Sequence, residues 1–408
     1  MKYFVQIAAL LGATLLYDTS VAAQEPPTTA ELWEIIQRQQ QEIEALKQQQ
    51  QTTERRAVAA DEKAEAAVVA VEGSSSGASG NWADRTRIGG YAEVHYNNLD
   101  GSGSAEDQKE VDLHRFVLFL GHEFNDDIRF FSELEVEHDV AGDGQVGEVE
   151  VEQAYLEFDL NDRHMARAGV TLLPVGILNE THEPTTFYGV ERNPVEHDII
   201  PATWWAGGAG LSGQLAPGWS YDVALHEGLM TSASADYQPR DGRQKTGEAH
   251  ADDLATTARL RWTGMPGTEI AGSIQYQSDI TQGMDPGAGS AMLYEAHAVL
   301  ERGPFGLRAL YARWDLDGSG PASVGADKQT GFYIEPSWKI SESLGVFARY
   351  NQWDNAAGDS TGSENTQWDA GVNWWPHEDV VIKADYQVQD NDSGAEQDGF
   401  NLGVGLQF

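Results

Sequence analysis

From Arg87 to Phe408 the chain alternates apolar and polar residues with period two, in about sixteen stretches of about ten residues. Phe116 and Leu118 face away from Arg115, and Leu134 and Val136 from Arg129, Glu133 and Glu135. Ala166 and Ala168 flank Arg167, and Leu260 sits between Arg259 and Arg261. Arg308, Arg349 and Lys383 each stand opposite apolar neighbours in the same way. In a dry core such mid-strand charges cost several kcal/mol each unless paired. Facing a water-filled lumen they cost little. The pattern therefore predicts a sheet with an apolar outside and a wet, charged inside.

The connections narrow the choice further. Short turns fall at Asn125, Asn161, Pro217, Pro266, Gly303, Ser341 and Pro376. They alternate with long polar connections near Asp100, Asp143, Thr231, Pro286, Gly318, Ala357 and Asp392. Transmembrane up-and-down barrels have this asymmetry, with short periplasmic turns and long outer loops. Hydrocarbon leaves no backbone group unpaired, so a sheet crosses it only as a closed barrel. The predicted class is all-β: a transmembrane antiparallel β-barrel of about 16 strands over 87–408. Tyr96, Tyr221, Trp262, Trp314, Trp338, Trp353 and Trp374 sit near strand ends, as interfacial girdles require.

Upstream the pattern differs. Residues 1–23 read as a signal peptide: Lys2, an apolar run to Leu16, then Val21-Ala22-Ala23. Over 24–72, Leu32, Ile36, Gln39, Ile43 and Leu46 alternate spacings of four and three, a short coiled-coil seam expected in the periplasm. GSSSGASG opens a flexible linker over 73–86. No run of about 18 apolar residues follows the N-terminal region, so no transmembrane helix is expected. The chain has no cysteine, and its net charge of -39 excludes a nucleic-acid binder.

One stretch carries no period. Leu173 to Gly208 holds four prolines, two histidines, four glutamates and the Trp204-Trp205 pair. A structureless segment of this length inside a domain is more often functional than not. The expectation is a loop, 174–206, folded into the barrel as a constriction. Its candidate residues are His182, Glu183, Glu191, Arg192, Glu196, Trp204 and Trp205. The expected pore lining is Arg115, Arg129, Glu133, Glu135, Arg167, Arg259, Arg261, Arg308, Arg349 and Lys383. Opposed basic and acidic rows would set a transverse field across the bore; wall-stiffening ion pairs are the competing role. The loop has His and carboxylates but no metal-ligand spacing such as HExxH, so no metal and no cofactor is expected. No nucleophile elbow or Ser-His arrangement is recognisable, and the chain is not read as an enzyme.

A family resemblance rests on particular stretches. They are HRFVLFLGHEFNDDIRFFSELEVEH (His114 to His138), VEQAYLEF (Val151 to Phe158), RAGVTLLPVG (Arg167 to Gly176) with the long loop after it, and the terminal Phe408. In that order, behind a signal peptide and a short coiled coil, they resemble the phosphate-selective porin O and P family. The resemblance implies a passive outer-membrane channel for small hydrophilic or charged solutes, phosphate and other anions among them. It implies a homotrimer with an inward third loop, and makes Phe408 the signal read by the barrel-assembly machinery. Lipopolysaccharide is the expected neighbour of the acidic outer loops. The charge departs from that pattern. Of 26 Lys and Arg and 65 Asp and Glu, 7 and 12 lie before residue 86, leaving 19 against 53. An acidic mouth concentrates cations. A cation-preferring or general diffusion porin is thus the alternative, with a structural envelope tether or adhesin behind it.

Overall fold

The structure, a computed structural model, describes residues 82–142, 144–360 and 362–408. The signal peptide, the coiled-coil segment and most of the linker fall outside the described residues. The last residues of the expected linker form a 3₁₀ turn, Trp82–Arg85, and Thr86 already belongs to the first strand.

Sixteen strands follow: β1 (Thr86–Ser102), β2 (Gln108–Asn125), β3 (Ile128–Glu137), β4 (Val149–Asn161), β5 (His164–Leu172), β6 (Trp205–Ala216), β7 (Trp219–His226), β8 (Ala255–Met265), β9 (Thr268–Gln277), β10 (Ala291–Arg302), β11 (Phe305–Leu316), β12 (Lys328–Ser341), β13 (Leu344–Asp354), β14 (Asn365–His377), β15 (Val380–Asn391) and β16 (Glu396–Gln407). Each pairs antiparallel with its neighbours in sequence, and β1 pairs with β16 to close the barrel. Gly90 and Phe408 complete the seam by exchanging backbone hydrogen bonds, each at 3.0 Å. Closure leaves no edge, which is what hydrocarbon demands. Two-residue turns such as Asp126-Asp127, Pro217-Gly218 and Pro266-Gly267 alternate with longer loops. Proline followed by a glycine at positive φ (75° at Gly218, 64° at Gly267) suits so tight a reversal.

The two faces are inverted relative to a soluble protein. Leu118, Leu134, Ile274, Ile334, Leu402 and Val404 are exposed outside, while Arg115, Glu133 and Glu135 are 1–2% exposed inside. Part of the interior departs from the polar-inside pattern. Leu293 on β10, Leu310, Ala312 and Trp314 on β11, Tyr333 on β12 and Trp353 on β13 point inward. They pack with Leu173, Val195, Ile199, Ile200 and Trp204 in an apolar core. Trp314 and Trp353 are therefore not girdle residues. Trp314 is fully buried and donates from Nε1 to Ile199 O at 2.9 Å. Each large side chain buried in this way contributes about 1.5–3 kcal/mol. One sector of the barrel is thus filled.

Away from the turns, two bulges shift the alternation. On β2, Glu93 pairs with Arg115 but Val94 pairs with Leu113, so His114 is the extra residue. On β4, Glu133 pairs with Gln153 but Leu134 pairs with Val151, so Glu152 is the extra residue. A bulge re-aims side chains locally. Here His114 stacks on inward His95 at 4.4 Å, and Glu152 is buried inside.

The lipid-facing reading is open to a direct check. Leu118→Arg, a mid-strand charge on the outer face, should destabilise the barrel by about 2–4 kcal/mol in urea unfolding from lipid vesicles. Leu118→Ala should cost much less, and equal costs would argue against a lipid-exposed face.

Candidate functional site: a loop folded into the bore

Between β5 and β6 the chain leaves the wall for residues 173–204; Trp205 and Ala206 already belong to β6. The segment turns back on itself at a narrow neck. Asn179 is fully buried and donates from Nδ2 to Leu173 O (2.8 Å) and Trp204 O (2.9 Å), while its Oδ1 accepts from Trp204 N (2.6 Å). One amide side chain thus ties both limbs of the loop together.

Beyond the neck the loop meets the inner wall on many sides. Pro174 O accepts from Ser273 Oγ on β9 (2.9 Å), and Phe187 O accepts from Asn373 Nδ2 on β14 (3.0 Å). Val190 N donates to Asp385 Oδ2 on β15 (2.6 Å), and Thr185 Oγ1 to Gln407 Oε1 on β16 (2.7 Å). Glu191 Oε1 meets His95 Nδ1 (2.9 Å) and Asn97 Nδ2 (3.0 Å) on β1, and Glu180 pairs with Arg259 on β8. Where a π-helical turn, Val195–Ile199, touches β12, the wall residue is Gly331. A Cβ there would lie 2.9 Å from both Val195 and Ile199.

Glu196 anchors this turn from within. Its Oε2 accepts from Ile177 N (2.9 Å) and Leu178 N (2.6 Å), and its Oε1 accepts from Tyr333 OH (2.7 Å). No lysine or arginine pairs with it among the described residues. Burial pushes its carboxyl above the ordinary range, against the pull of these hydrogen bonds.

The expected lining residues separate into two kinds. Several are paired: Arg115 with Glu93 (2.5 Å), Arg129 with Glu157 (2.8 Å) and Asp159 (2.6 Å), and Arg167 with Glu157 (2.8 Å). Arg259 pairs with Asp222 (2.8 Å) as well as Glu180, and Arg349 with Asp369 (3.0 Å) and Glu335 (3.2 Å). Lys383 is buried with its Nζ 3.5 Å from the centre of the Phe187 ring, covered by the loop rather than open to the bore. Arg261 and Arg308 have no carboxylate partner among the described residues; they donate to Ser220 Oγ (3.3 Å) and Thr186 O (2.7 Å).

Two cavities flank the loop. On the turn side one of about 960 Å³ is lined by Arg163, Arg167, Arg259, Arg261 and Arg308, with Asp159, Glu180, Asp222 and Glu269 among them. On the loop side one of about 290 Å³ is lined by Arg192, Arg240, Arg243 and Lys245, with Glu137, Glu150, Glu152 and Glu191. Lys245 pairs with Glu148 and Glu150. Arg192 donates to Thr203 Oγ1 (2.6 Å), Arg240 to Ala202 O (3.0 Å) and Arg243 to Thr203 O (2.6 Å). Among the described residues these three, like Arg261 and Arg308, meet only neutral oxygens. Burial, and then the charge of Arg243, pulls Arg240 down to about 10; burial also pulls Arg243 down.

Of the expected loop residues, Trp204 is an anchor, buried against Trp314 with ring centres 6.2 Å apart. Trp205 lines the loop-side cavity under Arg243 and Lys245. Glu183 is half-buried, and its backbone carbonyl takes hydrogen bonds from Thr186. His182 is buried beside Glu133 and Glu152. Arg240 and Arg243 were not among the expected site residues. They come from the loop after β7, a polar stretch with no period to place it inside.

Comparison with known proteins bears on this geometry. The sequence model of the family described as "Phosphate-selective porin O and P" matches residues 87–408. An uncharacterized protein of Aquifex aeolicus (strain VF5) is 30% identical over 361 residues, covering 79% of each chain. Among solved structures, the outer membrane channel DcaP of Acinetobacter baumannii aligns with a TM-score of 0.57 at 13% identity, over 79% of this chain and 97% of that one. The anion-selective porin from Comamonas acidovorans aligns with a TM-score of 0.59 at 10% identity, over 79% and 99%. At these identities the structures speak to the fold alone.

Two substitutions test the anchor. Glu196→Ala should cost about 1–3 kcal/mol, because it strands the N–H groups of Ile177 and Leu178. Hydrogen exchange at those two amides should rise with it. Glu196→Gln keeps an acceptor and loses the charge. A carboxyl held above its unfolded value costs stability once ionised, and that cost fades as pH falls through the raised value. The Gln variant should therefore match or exceed the wild type at alkaline pH, with the gap closing on acidification.

Proposed function

The chain belongs to the phosphate-selective porin O and P family, and from that premise we propose that its channel prefers small anions. As a member of that family with a closed sixteen-stranded barrel, it is a passive channel of the outer membrane. The proposal concerns what passes. One observation carries it: among the described residues, Arg192, Arg240 and Arg243 on one side of the inserted loop, and Arg261 and Arg308 on the other, meet only carbonyl and hydroxyl oxygens. A guanidinium held by neutral acceptors keeps its full charge and spare N–H donors, and its planar fork fits phosphate and carboxylate. Most other inward arginines are neutralised by carboxylates and act as wall fasteners. An anion entering from the loop side would meet the first group, pass the loop, and meet the second.

The acidic outer loops favour the opposite reading, a channel that prefers cations. Screening limits that field to about 8–10 Å at physiological salt, whereas the unpaired arginines line the cavities themselves. The measurement that separates the two is the reversal potential of the purified channel in a planar bilayer under a potassium chloride gradient. The expected sign is anionic, with phosphate reducing the chloride current. Arg192→Ala, Arg240→Ala and Arg243→Ala together should lower the anion-to-cation permeability ratio severalfold, as should Arg261→Ala with Arg308→Ala. A cationic reversal potential in the wild type would overturn the proposal.

On the same reading the two-residue turns face the periplasm, where the N-terminal segment would sit, and the acidic loops face lipopolysaccharide. We further infer a homotrimer, delivered to the membrane through recognition of Phe408 by the barrel-assembly machinery. Sedimentation of the detergent-solubilised protein at the mass of one chain would overturn the trimer.

A further inference from the structure

The loop and the wall meet at one place where the chemistry is left unfinished. Glu133 on β3, Glu152 on β4 and His182 in the inserted loop are 1%, 1% and 3% exposed. His182 Nε2 lies 3.5 Å from Glu133 Oε1 and 3.5 Å from Glu152 Oε2. All three of these atoms lie without a hydrogen-bond partner among the described residues. No lysine or arginine comes within ion-pair distance of either carboxylate among the described residues. Two buried carboxylates facing one imidazole without a fixed cation are costly unless something positive sits between them.

The surroundings aim these atoms at one another. His182 Nδ1 lies 3.1 Å from Asn179 O, a carbonyl that can only accept. The ring therefore donates from Nδ1, and in the neutral tautomer the Nε2 lone pair faces the carboxylates. Metal-bound histidines are commonly oriented in this way by their second nitrogen. Glu133 is fixed through its other oxygen, which accepts from Gln153 Nε2 at 2.7 Å. Glu152 reaches the site because it is the extra residue of the β4 bulge. It also lines the loop-side cavity, which gives an ion a way in.

We propose that Glu133, Glu152 and His182 bind one divalent transition-metal ion, with zinc the best fit, and that the ion pins the inserted loop to the wall. The two separations from His182 Nε2 suit tetrahedral coordination. Bonds of about 2.0–2.2 Å to nitrogen and oxygen put tetrahedral ligand atoms about 3.3–3.6 Å apart, which brackets both 3.5 Å separations. An octahedral magnesium ion, at about 2.0–2.1 Å, would need neighbouring ligands closer together and oxygen donors throughout. Imidazole with carboxylate suits zinc and its neighbours in the first transition row. Three protein ligands leave a fourth position for water. The competing occupant is a proton on Nε2, shared between the carboxylates.

The test uses the full-length, tag-free protein in detergent, stripped with a chelator, dialysed and titrated with zinc chloride against a chromogenic competitor. The expected result is one tight equivalent per chain, with cobalt(II) giving the intense visible absorption of a tetrahedral site. Glu152→Gln and His182→Gln should each weaken binding about tenfold or more, while Glu378→Gln, in the exposed His377-Glu378-Asp379 cluster, should leave it unchanged. Absence of a tight equivalent in the wild type overturns the proposal and leaves the proton as occupant. So does a tight equivalent that survives in both site variants or disappears in Glu378→Gln. If a site variant fails to fold, judged by heat-modifiable migration, the wild-type stoichiometry and cobalt spectrum still decide.

Discussion

Hydrocarbon offers no partner to a peptide N–H or C=O, and the rest of this molecule follows from that constraint. It forces the sheet to close, which here means β1 pairing with β16 and Gly90 exchanging hydrogen bonds with Phe408. Closure with alternating side chains then sends Leu118, Leu134 and Ile274 outward and Arg115, Glu133 and Arg259 inward. Once charges line an enclosed space, they must be paired, solvated or matched to a solute. The interior uses pairing and neutral contacts side by side: Arg349 meets Asp369 and Glu335, while Arg308 meets the carbonyl of Thr186.

The inserted loop decides how that space is divided. Its apolar limb packs against Leu293, Leu310 and Trp314 and fills one sector, where a large pore would otherwise hold water. Its polar limb runs along the remaining wall by way of Asp385, His95 and Arg259. The cavities lie beside the loop, and the arginines bordering them that have no carboxylate partner among the described residues come partly from the wall and partly from two loops.

Most of the frame was legible from the sequence, because period-two alternation and the short-long order of connections are direct consequences of closure. The strand count, the facing of Arg115, Arg129 and Arg167, and the place of the unpatterned stretch could all be read that way. The interior packing could not. Leu310, Ala312 and Trp314 are as apolar as their lipid-facing neighbours on β11, so alternation says nothing about which set is inside. The bulges at His114 and Glu152 do leave a trace. Outward Leu113 and Phe116 are three residues apart instead of two, as are Val151 and Ala154. Ion pairing was also invisible: Arg259 and Arg261 look alike in sequence, yet one has two carboxylates and the other has a serine hydroxyl. Asn179, one amide in a polar stretch, gave no hint that it would close the neck of the loop.

The ties between loop and wall also set a mechanical property. A thin cylindrical sheet resists bending poorly, and lateral pressure from the bilayer can flatten it into an oval. A segment bonded on opposite sides, to Ser273 on β9 and Tyr333 on β12, and to Asn97 on β1 and Gln407 on β16, works as an internal strut. The cross-section is then fixed by the length of the loop rather than by the elasticity of the sheet. The size limit for solutes should therefore be sharp and largely insensitive to membrane tension, because the passage cannot widen without breaking several of these bonds together.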